Sequence, residues 1–326
     1  MNIPSIVRSN VPLHDKNWFC TGGIARWYSE PQTPAECAVV LGWAHTHKIP
    51  VSLLGQGANI LIHDNGVSGL VIRLGVNQFS ILDTPAPDPH KKLVHIGAGV
   101  PLSDAIERSL DANLLGLEEF SGIPGTIGGS VYINVHYYEY LLSNFLISGT
   151  VISADGTEIK TVPAEWFNLG YDSSRLQTQE YYLLDALFSV TPGTPDAIMF
   201  ARGRRAEIIR HRNKRYPHER TCGSFFRNFH PTEIARHPHI TPVIYAGYYL
   251  DLVGAKGTLK SGQARVSHQH ANMLIADPGA TSHDIITLAR KMQELVWKRF
   301  GILLQPECQF IGFLHYPLYT HESISL

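Results

Sequence analysis

The chain has 326 residues, 44% of them hydrophobic and 17% charged, with a formal net charge of -1. That balance gives no global field to recruit nucleic acid or an acidic membrane, so any polyanion site must be local. The length predicts two or three structural units, since domains run about 100 to 200 residues.

The N-terminus lacks the apolar core of a signal peptide, and no run of about 18 apolar residues occurs. Cys20, Cys37, Cys222 and Cys308 form no closely spaced pair of the kind that structural zinc or thioredoxin-like chemistry needs. A reduced cytoplasmic protein is expected, with no membrane span and no nucleic-acid partner.

In chain order, Thr33-Pro34 is a start signal for a helix over 33–48, and Ile49 to Leu54 reads as a strand. The loop Gly55-Gln56-Gly57-Ala58-Asn59 leads into a strand over Ile60 to His63, a turn at Asp64-Asn65-Gly66 and a strand over Gly69 to Leu74. That loop lacks a third glycine and precedes a strand, so a Rossmann dinucleotide site is disfavoured. A proline-rich loop at 84–92, a strand at Leu93 to Ile96 and a helix from about Ser103 to Ala112 come next.

Residues 121–134 hold Gly122, Gly125, Gly128 and Gly129 together with Pro124 in an otherwise apolar run. Such a backbone turns tightly and can approach a partner closely. On its own the run reads first as a connection packed against a sheet, with a nucleotide-type cofactor as the competing reading. Strands are expected near 145–153, 158–162 and 181–190, and the prolines and glycine of 191–196 mark a domain boundary. A basic helix over 197–213, strands around 263–275, a long helix from Ser282 to Phe300 and a strand near 308–314 complete the reading.

Several motifs stand beside plainer alternatives. The pairs His45/His47, His237/His239 and His268/His270 invite a metal, but 17 histidines make incidental spacing the better reading, and no metal is expected. Cys222 reads as a packed thiol before a nucleophile. The basic run from Arg202 to Arg220 is either a solvated helix face or an anion site suited to a diphosphate, and Tyr216 is its only aromatic. Ser224, in a glycine-led turn without a specified His and Asp, reads as a turn or cap residue. Glu307 alone reads as a strand-entry residue.

Taken in order, Thr21-Gly22-Gly23, the 55–59 loop, residues 122–130 with Asn134, and Gly223-Ser224-Phe225-Phe226-Arg227-Asn228 form a specific set. Ala246-Gly247, residues 254–257, His270-Ala271-Asn272 and Pro306-Glu307 extend it. Over about residues 17–312 the chain resembles the UDP-N-acetylenolpyruvoylglucosamine reductase (UDP-N-acetylmuramate dehydrogenase, MurB) family, in its shorter subtype without the extra tyrosine loop.

The resemblance implies an α+β fold: a vanillyl-alcohol-oxidase/PCMH-type FAD-binding domain of two lobes (1–74 and 75–192), a C-terminal α+β substrate-binding domain (197–315) and a tail (316–326). It implies FAD and NADPH as cofactors, UDP-N-acetylglucosamine-enolpyruvate as substrate, and a monomer. Gly55, Gln56, Gly57, Ala58, Asn59, Gly122, Gly125, Thr126, Gly128, Gly129 and Ser130 would bind FAD, the glycine segments cradling its diphosphate with backbone amides. Ser224 matches the proton donor, and Glu307 the acid that stabilises the enolate-like intermediate. Tyr171, Arg227 and Asn228 match substrate-binding positions.

The chain also departs from the family pattern. Asp172 stands where the usual Tyr-Arg-x-Ser motif has its arginine, so either Arg175 or Arg227 supplies the missing cation or the intermediate is less stabilised and turnover is lower. Arg227 replaces the usual lysine, and His136 and Glu139 replace usual glycines. Two alternatives follow: a catalytically impaired flavin- or UDP-sugar-binding relative, and a related FAD oxidase acting on another substrate.

Overall fold

The computed structural model describes residues 2–84, 86–234 and 243–324. The chain gathers into two units. Met1–Val11, Arg26–Gln56 and Gly69–Arg212 form the first, and Pro12–Ala25, Gly57–Ser68 and Asn213–Leu326 form the second.

In chain order, β1 (Val7–Pro12) and β2 (Ile24–Ser29) precede helix α1 (Pro34–Thr46). Then come β3 (Val51–Leu54), β4 (Ile60–Ile62), β5 (Val67–Arg73), β6 (Phe79–Leu82) and β7 (Lys92–Gly97). Helix α2 (Leu102–Asp111), β8 (Leu114–Leu115) and α3 (Ile127–Tyr132) lead to the short strands β9 (His136–Tyr137) and β10 (Tyr140–Leu141). Strands β11 (Leu146–Ser153), β12 (Ile159–Pro163) and β13 (Tyr181–Pro192) precede α4 (Pro195–Arg215). The C-terminal part holds α5 (Pro231–Ile234), α6 (Ala246–Leu252), β14 (Lys260–Ser261), β15 (Ala264–Val266) and β16 (Leu274–Ala276). Helix α7 (Ser282–Phe300), β17 (Gln309–Ile311) and α8 (His321–Ile324) end it.

The first unit contains two sheets. One has the order β1-β2-β5-β3, with β3 and β5 parallel and Val51 opposite Leu70. Helix α1 starts where Thr33 accepts a hydrogen bond from the Glu36 amide, with Pro34 in the first turn. It buries Cys37, Val40, Leu41 and Ala44 in a core shared with Leu70 and Ile72. The other sheet is antiparallel in the order β12-β11-β13-β7-β6, with β8 also on β13. The twelve-residue β13 is its spine, and its run of buried residues follows from having neighbours on both edges. Helix α2 lays Leu102, Ala105, Ile106, Ser109 and Leu110 on the core, the spacing of one helical face.

Helix α4 resolves the basic run. Arg202 bridges Glu107 at 2.6 Å and Asp111 at 2.5 Å, Arg205 reaches Glu107 at 3.0 Å, and Arg204 pairs with Glu119 through two bonds. Its apolar residues Ile198, Ala201 and Ile208 are buried. These arginines therefore fasten the helix to acidic residues of α2 and of the 3-10 turn Glu118–Phe120, in place of an anion.

In the second unit, β14-β15-β16 form an antiparallel sheet and β17 runs parallel to β4, with Gln309 opposite Ile60. Helix α7 has the expected bounds because both ends are specified. Thr281 and Asp284 form a capping box, and Gly301 ends the helix in the left-handed conformation at φ 66°. The strands expected around 263–275 are β15 and β16, separated where Ser267 accepts from the Gln269 amide and Met273 N–H turns back to the His270 carbonyl. The core gathers Phe225, Phe226, Tyr249, Leu288 and Met292.

Candidate functional site

Gly55 and Gln56, at the start of the first glycine-rich loop, meet the second glycine-rich segment within the first unit. The Gly125 amide donates to Gln56 Oε1 at 3.0 Å, and a Cβ on Gly55 would stand 2.8 Å from Thr126 Oγ1. Thr126 caps the six-residue helix α3 by accepting from the Gly129 amide at 3.2 Å. The Ile127 and Gly128 amides donate to the carbonyls of Val100 and Ala98, so this glycine run is tied to the turn after β7. Gly125 differs: at φ +140° it faces open space, with nothing within 4 Å of an added Cβ.

The 55–59 loop has the complementary character. Among the described residues, the amides of Gln56, Gly57, Ala58 and Asn59 donate to no protein acceptor. At Gly57, where φ is +69°, a Cβ would lie 2.4 Å from the Lys16 carbonyl, so glycine is required there. Asn59 Nδ2 donates to the Glu307 carbonyl at 3.2 Å, while its Oδ1 is buried without a partner, as are Asn17 Oδ1 and Thr21 Oγ1. Buried polar atoms and unengaged amides of this kind call for ligand groups. They fit the phosphate and polar parts of FAD.

Beyond α3 the chain carries a second group of expected residues. Asn134, buried and left-handed at φ 48°, donates to the Gly170 carbonyl at 3.1 Å and accepts from the Ser143 amide at 3.1 Å. Ser174 Oγ donates to the Tyr132 carbonyl at 2.7 Å, and Gln177 donates to the Asp172 carbonyl at 2.8 Å. The loop bearing Tyr171 and Asp172 is thereby fixed to the C-terminal end of α3. His136 lies beside it, with Nδ1 3.8 Å from Asp172 Oδ1 and its ring 4.8 Å from that of Tyr171. His136 sits in an extended strand, which explains why a glycine is not required there; the left-handed turn residue is Tyr138. Arg175 is elsewhere, stacked over Trp166 at 4.5 Å and 3.8 Å from Glu180.

In the second unit, Ser224 lies on a short extended segment between two others. It pairs with Met273 on one side, while Phe226 pairs with Pro306 on the other. The Arg227 amide donates to the Gln305 carbonyl and the Glu307 amide to the Phe225 carbonyl, both at 2.9 Å. Ser224 and Glu307, distant in sequence, thus sit on adjacent bonded segments. The Ser224 hydroxyl has no protein partner among the described residues. Arg227 is held by Glu233 through bonds of 2.9 and 2.7 Å, and Asn228 Oδ1 accepts from the Ala246 amide at 3.2 Å.

Two supporting residues escaped the sequence reading. Asn272 accepts from the Phe226 amide at 3.0 Å and donates to the Phe226 carbonyl at 2.7 Å, acting as one more strand partner. Its place in the His270-Ala271-Asn272 motif was the available signal. Glu233 had none, because its partner is defined only once α5 forms. Burial lowers the His270 pKa, and its Nδ1 accepts from the Asn272 amide at 3.2 Å. Cys222 and Cys308 are packed thiols, and burial pushes Cys308 well above the ordinary range. Among the described residues no three His, Cys, Asp or Glu side chains gather to hold a metal, and no helix is long and apolar enough to cross a membrane. His237 and His239 lie outside the described residues.

Comparison with known proteins gives a consistent result. A family model described as "UDP-N-acetylenolpyruvoylglucosamine reductase, C-terminal domain" matches residues 215–311, and one described as "FAD binding domain" matches 25–161. The UDP-N-acetylenolpyruvoylglucosamine reductase of Exiguobacterium sibiricum is 32% identical over 304 residues, covering 93% of this chain and 92% of that one. The protein of the same name from Gloeobacter violaceus is 34% identical over 294 residues, covering 89% and 91%. The crystal structure of UDP-N-acetylenolpyruvylglucosamine reductase (MurB) from Thermus caldophilus superposes with a TM-score of 0.72 at 25% identity, covering 94% of this chain and 99% of that one. The α+β architecture, an FAD-binding domain followed by a reductase C-terminal domain, is therefore as expected, and the chain belongs to the UDP-N-acetylenolpyruvoylglucosamine reductase family.

Proposed function

We propose that this protein is an FAD-dependent reductase that converts UDP-N-acetylglucosamine-enolpyruvate to UDP-N-acetylmuramate with NADPH, a step of peptidoglycan precursor synthesis. It acts as a cytoplasmic monomer, with residues 1–74 and 75–192 as the two lobes of the FAD domain and 197–315 as the substrate domain. The observation that carries the reading is the joining of Ser224 and Glu307 on adjacent bonded segments, the Glu307 amide donating to the residue after Ser224 at 2.9 Å.

Bound FAD would supply the chemistry of hydride transfer from NADPH to the enolpyruvyl alkene. The open amides of Gln56 to Asn59 would hold its diphosphate, and Gly55, Gly122, Gly125, Thr126, Gly128, Gly129 and Ser130 would belong to the same FAD-binding set. Ser224 gives its hydroxyl proton to the alkene carbon that does not receive the hydride. Glu307, in its acid form, donates to the substrate carboxylate as negative charge builds there, the role of an oxyanion-hole donor. Arg227 binds substrate as a guanidinium oriented by Glu233, and Asn228 and Tyr171 complete the binding set. Arg175 serves as a cation for the substrate carboxylate on leaving its stack on Trp166.

The test is to purify the protein, record its flavin spectrum, and follow NADPH oxidation with and without the enolpyruvyl UDP-sugar. Yellow protein with substrate-dependent oxidation is expected. Oxidation that ignores the substrate points to a flavoprotein oxidase, and bound flavin without turnover points to a binding protein impaired by Asp172. Colourless protein that FAD cannot reconstitute removes the cofactor assignment.

A further inference from the structure

We infer that Asn59 is a positioning residue for Glu307, its side-chain amide linking the loop that takes the cofactor to the acid that meets the substrate carboxylate. The inference deepens the function proposed above and rests on the role given there to Glu307.

Asn59 and its partners all belong to the second unit. Its Nδ2 donates to the Glu307 carbonyl at 3.2 Å, and its main-chain carbonyl accepts from the Gln309 amide at 3.1 Å. Strands β4 and β17 run parallel from that point, with Gln309 opposite Ile60. On the other side, the Glu307 amide donates to the Phe225 carbonyl at 2.9 Å. The peptide groups before and after the Glu307 Cα are therefore both held, one by the Ser224 segment and one by the Asn59 side chain. Such supporting bonds fix the direction in which a functional side chain leaves its backbone.

Asn59 also closes the loop of open amides. The loop is anchored at Gly57, whose carbonyl accepts from the Trp18 amide at 3.0 Å. Between that anchor and β4, the amides of Gly57, Ala58 and Asn59 donate to no protein acceptor among the described residues. One residue thus offers its backbone N–H to a ligand anion and its side chain to Glu307.

A second observation points to the ligand. Asn59 Oδ1 is buried with no hydrogen-bond partner, a destabilising arrangement that strand pairing alone does not require. A donor from the bound group relieves it, and the ribose and ribityl hydroxyls of FAD are donors of that kind. Because Oδ1 and Nδ2 lie in one rigid amide plane, a donor on Oδ1 stops the amide from turning. Nδ2 then stays on the Glu307 carbonyl, so filling the loop also places the acid.

The test uses full-length protein with FAD at saturation for each variant, as judged by flavin titration. After anaerobic reduction with NADPH, mixing with UDP-N-acetylglucosamine-enolpyruvate should show that Asn59→Ala slows reoxidation about tenfold more than it slows reduction. The half-saturating substrate concentration should stay within about twofold of wild type, because the loss lies in the transition state. Asn59→Ser, too short to reach the Glu307 carbonyl, gives the same reading should the Ala variant fold poorly. In a Glu307→Ala background, Asn59→Ala should add less than about twofold, since the group it acts through is already gone. A readout free of turnover is amide hydrogen exchange: FAD added to the apoprotein should slow exchange over residues 305–311 by about tenfold, and Asn59→Ala should lose most of that protection.

Reoxidation of Asn59→Ala at the wild-type rate, or a loss that multiplies with that of Glu307→Ala, overturns the proposal and leaves the function reading standing. Equal exchange protection in wild type and Asn59→Ala overturns it as well. If wild-type reduced flavin is not reoxidised by this substrate at all, the function reading falls and takes the role of Glu307 with it.

Discussion

The Gly125 amide donates to Gln56 Oε1 at 3.0 Å, joining two glycine-rich loops that are far apart in the chain. This bond fixes the 122–130 segment to Gln56, whose own amide has no protein acceptor among the described residues. Replacing Gln56 with Ala removes one neutral, half-buried hydrogen bond, worth about 1 kcal/mol, or roughly fivefold in FAD affinity. Flavin titration of the apoprotein should show that loss with little change in unfolding midpoint. Gln56→Glu should bind FAD worse than Gln56→Ala, because it adds a negative charge beside the diphosphate; equal or tighter binding by the Glu variant removes the diphosphate from this loop.

Ser224 has a different signature, since its hydroxyl is assigned to proton delivery and not to cofactor binding. Ser224→Ala should leave the flavin spectrum and reduction by NADPH intact while slowing substrate-dependent reoxidation by about a hundredfold or more. Stopped-flow measurement of the two half-reactions separates them. An equal fall in both would show that Ser224 is not the proton donor.

The contrast between α7 and α3 shows what the sequence could disclose. Thr281, Asp284 and Gly301 specify both ends of α7 by local chemistry, and Thr33-Pro34 does the same for the start of α1. Helix α3 contains Gly128 and Gly129, poor helix formers, and depends on Thr126 and on bonds from its first amides to Ala98 and Val100. Such partners are tertiary and leave no periodic trace. The basic run was visible as charge, but its acids, Glu107, Asp111 and Glu119, lie on other elements, so its role was not. Likewise His136 and Asp172 were each visible as departures, and tertiary bonds, Asn134 to Gly170 and Ser174 to Tyr132, make them neighbours.

Asn272 supplies a prediction about stability and turnover together. It is 2% exposed and engages both the N–H and the C=O of Phe226, two residues beyond Ser224. Asn272→Ala leaves both groups unsatisfied in a closed interior, a cost of roughly 2–4 kcal/mol. Urea unfolding should register that loss, and the surviving folded protein should reoxidise slowly because the Ser224 segment has lost a restraint. Asn272→Asp keeps the acceptor for the amide but loses the donor to the carbonyl, so it should fall between wild type and Asn272→Ala. Wild-type stability in Asn272→Ala would show that the clamp is dispensable.

The Arg227–Glu233 pair predicts an acid limit for the second unit's binding chemistry. The Glu233 carboxyl is held below its ordinary value of 4.5, chiefly by its bonds from Arg227, with the His230 amide adding to the effect. A carboxylate whose pKa is lowered on folding contributes stability that is fully present above the unfolded-state value and is lost as pH falls through the folded-state value. The window therefore opens near 4.5 and extends downward. The side chain is 40% exposed, so screening keeps the stability term small, and the larger consequence is for Arg227. Once Glu233 is protonated, the guanidinium loses its bidentate restraint, and KM for the UDP-sugar should rise as pH falls through that window while flavin reduction is unaffected. Glu233→Gln should show the raised KM already at neutral pH and abolish its acid dependence. A Glu233→Gln variant with wild-type KM and an unchanged acid limb would assign that limb to another group.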